Sequence, residues 1–276
     1  MKRQLLSHRM SQLLRQLPVV VLLLSLAAAA GYAWTRPALA TSHIFANSGQ
    51  ILGGETGNGV ALGDLDGDGD LDAFVANDHT TFGEANQVWF NEGDGTFTAG
   101  QTMGSADGHD VALGDLDGDG DLDALVVGIP PTSLLTARVW LNVGGAQGGV
   151  EGTFDGGPTF GSETAYGVAL GDVDGDGDLD ALLVGNSNQV WLNNGNSIFS
   201  AGPVLPFLFS EDTVLADLDD DGWLDALIVD SASGTSSRVW WNDGNWSPGP
   251  GSFTAGDLLP AGSLVHGAAV GNLDGD

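Results

Sequence analysis

The stretch GDLDGDGDLDA stands at Gly63–Ala73 and returns unchanged at Gly114–Ala124. A near copy, GDVDGDGDLDA, follows at Gly171–Ala181, and ADLDDDGWLDA stands at Ala216–Ala226. The opening of a fifth copy, GNLDGD, occupies Gly271–Asp276. Successive copies start 51, 57, 45 and 55 residues apart. This internal repetition, with a period of about fifty residues, decides the fold class.

Four short apolar segments recur in step with the acidic motif. In the first repeat they read GVALGD, DAFVAN, QVWFN and GTFTAG, and close variants follow in the next three repeats. They are rich in Val, Leu, Phe and Trp and bounded by Gly, Asn and Asp, which is typical of strands, and they are too short for helices. Four strands per repeat predict an all-β protein, a β-propeller of four-stranded blades. We expect about four blades and the start of a fifth.

The two ends of the repeat region bear on closure of the ring. HIFANSGQILGG at His43–Gly54 resembles the fourth segment of a repeat, as expected for an outer strand that completes the last blade. At the other end the chain stops inside the fifth acidic motif. Four blades and part of a fifth do not close a ring. We therefore expect a propeller domain over residues 41–276 that is incomplete at its C-terminus, truncated from a larger ring such as one of seven blades.

The spacing of the aspartates indicates a metal-binding loop. Carboxylates fall at positions 1, 3, 5 and 9, and glycine stands at position 6, where it permits a backbone conformation that side chains disfavour. Such a set suits a hard cation with about six to eight oxygen ligands, and we expect about four calcium ions, with the position-7 carbonyl as a further ligand. The predicted metal-site residues are Asp64, Asp66, Asp68, Asp70 and Asp72; Asp115, Asp117, Asp119, Asp121 and Asp123; Asp172, Asp174, Asp176, Asp178 and Asp180; and Asp217, Asp219, Asp221, Trp223 and Asp225.

An EF-hand or a plain acidic turn accounts less well for the motif. EF-hand loops need an acid at position 12 and flanking helices, whereas this chain has apolar residues there and strand-like flanks. The simpler alternative is a set of solvated acidic turns, because Asp and Gly both favour turns. Turns alone do not require four acids at fixed positions, and clustered carboxylates without a cation destabilise a fold. The fifth motif lacks positions 6–9 and is not counted as a site.

The acidic loop between two strands, followed by segments such as VWLNNG and GTF, resembles the FG-GAP/VCBS repeat of integrin-alpha-like calcium-binding β-propellers. The resemblance covers roughly Ile44 to Asp276. It implies that calcium rigidifies the hairpin between the first two strands of each blade, and that ligands contact loops on the opposite face. Such families include adhesion subunits, secreted carbohydrate-active proteins and lectins, so the fold alone does not fix the function.

A second set of residues lies six positions before each acidic motif, at the start of the first predicted strand. The side chains are polar or aromatic and differ between repeats whose neighbours are nearly identical, so we expect a ligand-binding ring at the face opposite the calcium loops. The alternative is that they are ordinary loop residues. The candidate ligand-binding residues are Asn58, His109, Tyr166, Glu211 and His266. By contrast, we expect Trp89, Trp140, Trp191 and Trp240, which share one position, to pack between blades rather than to bind sugars.

Charge and the N-terminus bear on location and partners. The formal net charge is −30, and all 37 acids follow Ala40, where only Arg138 and Arg238 are basic. This charge argues against nucleic acids and anionic membranes as partners. Residues 1–40 combine a basic start, the apolar run Pro18–Trp34 and the sequence ALA at Ala38–Ala40, which predicts a signal peptide or, if it is not cleaved, an N-terminal anchor. We expect a secreted or cell-surface protein.

These observations predict an exported calcium-binding β-propeller that acts as an adhesion or ligand-binding module, with an extracellular protein or glycan as its ligand. The alternative is a secreted carbohydrate-active propeller, either a lectin or an enzyme resembling a polysaccharide lyase. We expect no enzymatic activity, because the chain has no Cys, no Lys after residue 40 and no recognisable nucleophile motif. We therefore expect no catalytic residues.

Overall fold

The computed structural model describes residues 48–52, 57–77, 85–104, 107–129, 136–144, 148–206, 209–230, 237–246, 253–259 and 266–271. The predicted signal segment and the fifth acidic motif after Gly271 lie outside these residues. Within them the chain forms sixteen strands and no helix. The strands are β1 (Gly57–Gly63), β2 (Asp72–Asn77), β3 (Asn86–Asn91), β4 (Phe97–Met103), β5 (Asp107–Gly114), β6 (Asp123–Ile129), β7 (Ala137–Asn142), β8 (Phe154–Phe160), β9 (Ala165–Gly171), β10 (Asp180–Gly185), β11 (Asn188–Leu192), β12 (Ser200–Leu205), β13 (Ser210–Ala216), β14 (Asp225–Asp230), β15 (Arg238–Asn242) and β16 (Phe253–Leu258).

The strands form four antiparallel sheets of four strands each, in chain order. Sheet 1 contains β1–β4, sheet 2 β5–β8, sheet 3 β9–β12 and sheet 4 β13–β16, so each sequence repeat forms one sheet. The apolar second segment of each repeat becomes the second strand, and every residue of β2 and β10 is buried. The predicted all-β class and the four strands per repeat are confirmed. Among the described residues the sheets do not close into a ring.

Consecutive sheets pack against each other, with their first strands side by side. Strand β1 contacts β5, β5 contacts β9, and β9 contacts β13. An apolar cluster fills each interface; in the first, Phe74 of sheet 1 meets Phe154 of sheet 2 edge to face, with ring centroids 5.8 Å apart. Trp140, Trp191 and Trp240 pack in or against these clusters. The predicted packing role is therefore confirmed for these three tryptophans.

The first and last sheets each have one face with no neighbouring sheet among the residues described. In sheet 1, Leu71 is 56% exposed, whereas its counterparts Leu122 and Leu224 pack against interface clusters. In sheet 4, Leu227 and Val239 are half-buried, whereas the equivalent residues of the other sheets are fully buried. On these two faces, apolar side chains at positions that are buried in the internal interfaces are exposed or half-buried.

Part of the predicted outer strand at His43–Gly54 is described. Residues 48–52 form no assigned strand, but Gln50 binds the start of β4 through its side-chain amide. Its Nε2 donates to the Gly95 carbonyl at 2.7 Å, and its Oε1 accepts from the Phe97 N–H at 2.9 Å. Gln101 of β4 binds the start of β8 through a similar pair of bonds to Phe154. Gln50 thus lies against sheet 1 as a residue of an outer strand would.

No helix among the described residues is long and apolar enough to cross a bilayer.

Candidate metal centres

Each acidic loop connects the first and second strands of a sheet, as the sequence predicts. In every loop, carboxylate oxygens from positions 1, 3 and 9 lie within 4.8 Å of one another. The four groups are Asp64, Asp66 and Asp72; Asp115, Asp117 and Asp123; Asp172, Asp174 and Asp180; and Asp217, Asp219 and Asp225. The fold therefore gathers three predicted ligand positions at one point in each repeat.

The aspartate at position 9 is the buried anchor of each loop. Asp72 is fully buried at the first position of β2, and its Oδ2 accepts the Leu65 N–H at 2.8 Å. Its Oδ1 accepts the Asn91 N–H, also at 2.8 Å, at the end of β3. Equivalent pairs of bonds recur at the position-9 aspartate of the other three loops. This side chain therefore ties the start of its loop to the third strand and fixes one carboxylate of the cluster.

The aspartate at position 1 shapes the turn. Asp64 Oδ1 accepts the Gly67 N–H at 2.8 Å, and Oδ2 accepts the Gly69 N–H at 3.0 Å. Gly69, at position 6, has φ of 93°, and a Cβ added there would meet nothing within 4 Å. Glycine is therefore required by the left-handed backbone and not by lack of space. The position-6 glycines of the other loops have the same conformation, with φ of 93–98°.

Positions 5 and 7 lie outside the three-residue groups. Asp68, at position 5, accepts the N–H of Asp70 within the turn at 2.9 Å. The Asp70 side chain leans toward the loop after β3, where its Oδ2 would lie 2.6 Å from a Cβ on Gly93. A position-7 side chain directed away from the cluster is compatible with the prediction that position 7 ligates through its carbonyl oxygen. Ligation by positions 5 and 7 stays a prediction.

The fourth loop differs from the others in two side chains but keeps the backbone. Asp220 replaces glycine at position 4 and adopts φ of 63°, in the left-handed region used by the glycines of the other loops. Trp223 replaces aspartate at position 7 and lies against Gly175 of the third loop and against Gly244. Asp217, Asp219 and Asp225 still converge, although the first two are exposed where their counterparts are half-buried.

Burial and mutual repulsion disfavour charge in these clusters. Burial raises the pKa of Asp123 and of Asp180 to about 7, despite backbone hydrogen bonds that act in the opposite direction. Burial, followed by repulsion from neighbouring aspartates, also raises the pKa of the position-3 carboxylates Asp66, Asp117 and Asp174. The folded protein thus holds carboxylates together at a free-energy cost that a cation would offset.

The donor set fits a hard cation. Three carboxylates converge in each loop. Carboxylate and carbonyl oxygens suit calcium or magnesium and not the softer metals that prefer Cys or His. The loops can therefore hold a metal ion, with positions 1, 3 and 9 as the residues that the fold brings together.

The candidate ligand-binding residues lie at the opposite ends of the first strands. His109 of β5 and Tyr166 of β9 contact each other edge to face, with ring centroids 5.1 Å apart. Asn58 Nδ2 donates to the Gly108 carbonyl at 3.4 Å, beside His109. Glu211 follows on β13, and its carbonyl lies close to Gly167 of β9. His266 is exposed outside the assigned strands. The fold thus brings His109 and Tyr166 together and places Asn58 and Glu211 on the flanking strands.

The sequence does not predict the role of one group of structural residues, the asparagines at the ends of the third strands. Asn142, at the end of β7, donates through Nδ2 to the carbonyl of Leu65 in the loop of the preceding sheet at 2.9 Å. Asn193 and Asn242 make the same bond to Leu116 and Val173. The recurring N of VWLN was the available signal, but the partner lies 69–77 residues earlier in the chain.

The chain matches a family of known repeats. The family model of the FG-GAP-like repeat matches residues 64–126 and 172–228, and these segments contain all four acidic loops. No curated protein matches the chain. Among solved structures, the V. cholerae biofilm matrix protein Bap1 is 19% identical, with a TM-score of 0.42, over 75% of this chain and 30% of the Bap1 chain. This chain therefore spans about a third of the length of that protein. Residues 64–126 and 172–228 are therefore similar to FG-GAP-like repeats.

Proposed function

We propose that this chain is a calcium-binding β-propeller module that acts outside the cell in adhesion or ligand binding. The observation that carries the proposal is the convergence of three aspartates, one of them fully buried, in each of four equivalent loops. The match of residues 64–126 and 172–228 to the model of FG-GAP-like repeats supports the same assignment. In this proposal the four sheets are propeller blades, and their side-by-side first strands line the axis of the ring.

Calcium is preferred to magnesium on ligand number. Positions 1, 3, 5 and 9 offer carboxylates and position 7 offers a carbonyl, which with water reaches the six to eight oxygens that calcium takes. Magnesium requires a smaller, nearly octahedral site and retains its water more strongly. The ion would neutralise the clustered charge and fix the hairpin between the first two strands. The chain's own residues then present the opposite ends of these strands to a partner.

The proposed partner is an extracellular protein or glycan, and the proposed contact surface is the row formed by Asn58, His109, Tyr166 and Glu211, with His266 beyond it. The half-buried ring pair of His109 and Tyr166 supports this choice, because partly exposed aromatic side chains are common in binding surfaces. Export would follow from the predicted signal at residues 1–40. The proposal is of a binding protein; the enzymatic alternative would use Glu211 and would be supported by polysaccharide turnover that is lost in Glu211→Gln.

Thermal melting of the metal-free chain tests the metal assignment. We expect millimolar calcium to raise the melting temperature strongly and equimolar magnesium to raise it less, because only the folded state offers the assembled sites. Excess chelator should reverse the effect. A melting temperature that is the same in calcium, magnesium and chelator would remove the basis for the proposal.

A further inference from the structure

A cavity of about 220 Å³ opens between the end of β8 and sheet 3, away from the acidic loops. Leu183 and Trp191 form an apolar wall, and Ser162, Glu163, Ser187 and Gln189 supply polar groups. The cavity is smaller than the roughly 300–1,000 Å³ typical of sites for drug-sized ligands. Its volume suits one ring-sized group.

Trp191 is open to this cavity because the residue that covers the equivalent tryptophan differs between sheets. Two positions before the tryptophan, sheets 2 and 4 carry arginine, whereas sheets 1 and 3 carry glutamine. Arg138 lies over Trp140 with its guanidinium carbon 4.3 Å from the ring centroid, and Arg238 lies 5.8 Å from Trp240. These two tryptophans are only 7% and 5% exposed.

In sheet 3 the corresponding residue does not cover its tryptophan. Gln189 turns back onto its own sheet, where Nε2 donates to the Gly202 carbonyl at 2.6 Å and to the Val190 carbonyl at 3.3 Å. Trp191 is therefore half-buried: it packs against Phe160 at 5.0 Å between centroids and also lines the cavity. The chain thus leaves at this position an aromatic surface that its counterparts in sheets 2 and 4 cover.

The polar groups of the cavity are available to a ligand. The side chains of Ser162, Glu163 and Ser187 make no hydrogen bond with any of the described residues, and Ser162 and Glu163 are exposed. Two hydroxyls and one carboxylate can together donate and accept hydrogen bonds. The carboxylate, on a chain of net charge −30, disfavours anionic ligands.

We propose that this cavity binds one uncharged pyranose ring of a glycan. A pyranose has an apolar C–H face that can stack on the Trp191 ring, and equatorial hydroxyls that can pair with Ser162, Ser187 and the Glu163 carboxylate. The proposal goes beyond the calcium-binding role. It names a site whose lining includes no acidic-loop residue and no member of the row at the starts of the first strands, although Ala165, which lines it, is the neighbour of Tyr166.

Saturation-transfer NMR of the calcium-loaded full chain tests the proposal. The probes are glucose, galactose, mannose and N-acetylglucosamine, with glucuronate as the anionic control. We expect at least one uncharged sugar to bind and glucuronate to bind more weakly. Gln189→Arg should reduce the affinity for the sugar by about tenfold or more, because an arginine there would cover Trp191 as Arg238 covers Trp240. The two sites are comparable, since an alanine pairs with the tryptophan in both sheets, Ala201 with Trp191 and Ala255 with Trp240. The matched control, Gln87→Arg in sheet 1, should leave binding unchanged.

Each outcome decides the matter. Binding that is lost in Gln189→Arg and kept in Gln87→Arg supports the site. Binding that persists in Gln189→Arg, or that is equally weakened by both variants, overturns it, as does the absence of a signal from all four uncharged sugars. The calcium-induced rise in melting temperature, measured on the same samples, shows whether the calcium sites are intact. A failure of sugar binding is therefore distinguishable from a failure of the calcium assignment.

Discussion

At the scale of the residue, the aspartates of one loop divide into an anchor and charged partners. Asp72 is fully buried and receives two backbone N–H groups, from Leu65 and Asn91. Asp66 is half-buried and accepts one long bond of 3.3 Å from the Asp68 N–H. The same carboxylate group therefore has a structural role at position 9 and mainly an electrostatic role at position 3.

This division predicts opposite effects of two conservative substitutions. Asp72→Asn should lower the unfolding free energy of the metal-free chain by about 1–3 kcal/mol, because one buried N–H loses its acceptor. Asp66→Asn should leave the metal-free stability unchanged or raise it slightly, since it removes a like charge. Both should reduce the stabilisation by calcium. Urea denaturation with chelator and with calcium measures the four values, and equal losses for the two variants without metal would contradict the division.

The raised carboxylate pKa values predict a pH dependence that calcium reverses. In the folded chain the pKa of Asp123 and of Asp180 is about 7, above the ordinary 3.8. Without calcium, the folded state therefore retains protons that the unfolded state releases between about pH 4 and pH 7, and it loses stability as the pH rises through that window.

The melting temperature of the metal-free chain should accordingly fall between about pH 4 and pH 7. Calcium affinity should fall as the pH drops below about 7, because protons compete for the same carboxylates. Melting curves across this range, with chelator and with saturating calcium, measure both effects. A metal-free melting temperature that rises with pH would show that the fold does not disfavour the charged form of these carboxylates.

At the scale of the element, the sheets are joined by a hydrogen bond that crosses each interface. Asn142 binds the carbonyl of Leu65, which is 1% exposed. Its counterpart Asn91 has no such partner among the described residues and instead binds the exposed Leu71 carbonyl of its own sheet at 3.2 Å. The two asparagines otherwise have matching contacts, because each accepts the N–H two residues later.

Asn142→Ala should therefore lower the unfolding free energy by about 1–3 kcal/mol, since a buried carbonyl loses its donor. Asn91→Ala, as the matched control, should cost less than about 0.5 kcal/mol, because its bonds to the Leu71 carbonyl and from the Gly93 N–H are exposed to water. Urea denaturation in the presence of calcium provides the comparison. Similar losses for the two variants would mean that the bond across the interface contributes nothing beyond the local turn.

Much at this scale could be predicted from sequence because it is local. The four strands, the loop between the first two and the left-handed glycine at position 6 follow from residue type and spacing within about ten positions. The convergence of positions 1, 3 and 9 also lies within one hairpin. The bond from Asn142 to Leu65 and the opening of Trp191 could not be predicted, because both depend on how one sheet packs against its neighbour.

At the scale of the whole molecule, repetition gives each sheet its own acidic loop, and the four loops share the same chemistry. The repeats predict four sheets and four metal loops, and the described part of the chain contains four sheets and four groups of three converging aspartates. The repeats do not determine whether the sheets close into a ring. One face of sheet 1 and one face of sheet 4 are not covered by any described residue. Closure depends on contacts between sheets that are distant in sequence.

Isothermal titration calorimetry of calcium into the chelator-stripped chain tests the central claim most directly. The account predicts four ions per chain, one for each aspartate group, and three in Asp174→Asn, which alters one loop without removing a buried anchor. Saturation at about 100 times the dissociation constant should add about 2.7 kcal/mol of stability per independent site. Absence of binding heat together with an unchanged melting temperature, or a stoichiometry that Asp174→Asn leaves unaltered, would contradict the assignment of the acidic loops as calcium sites.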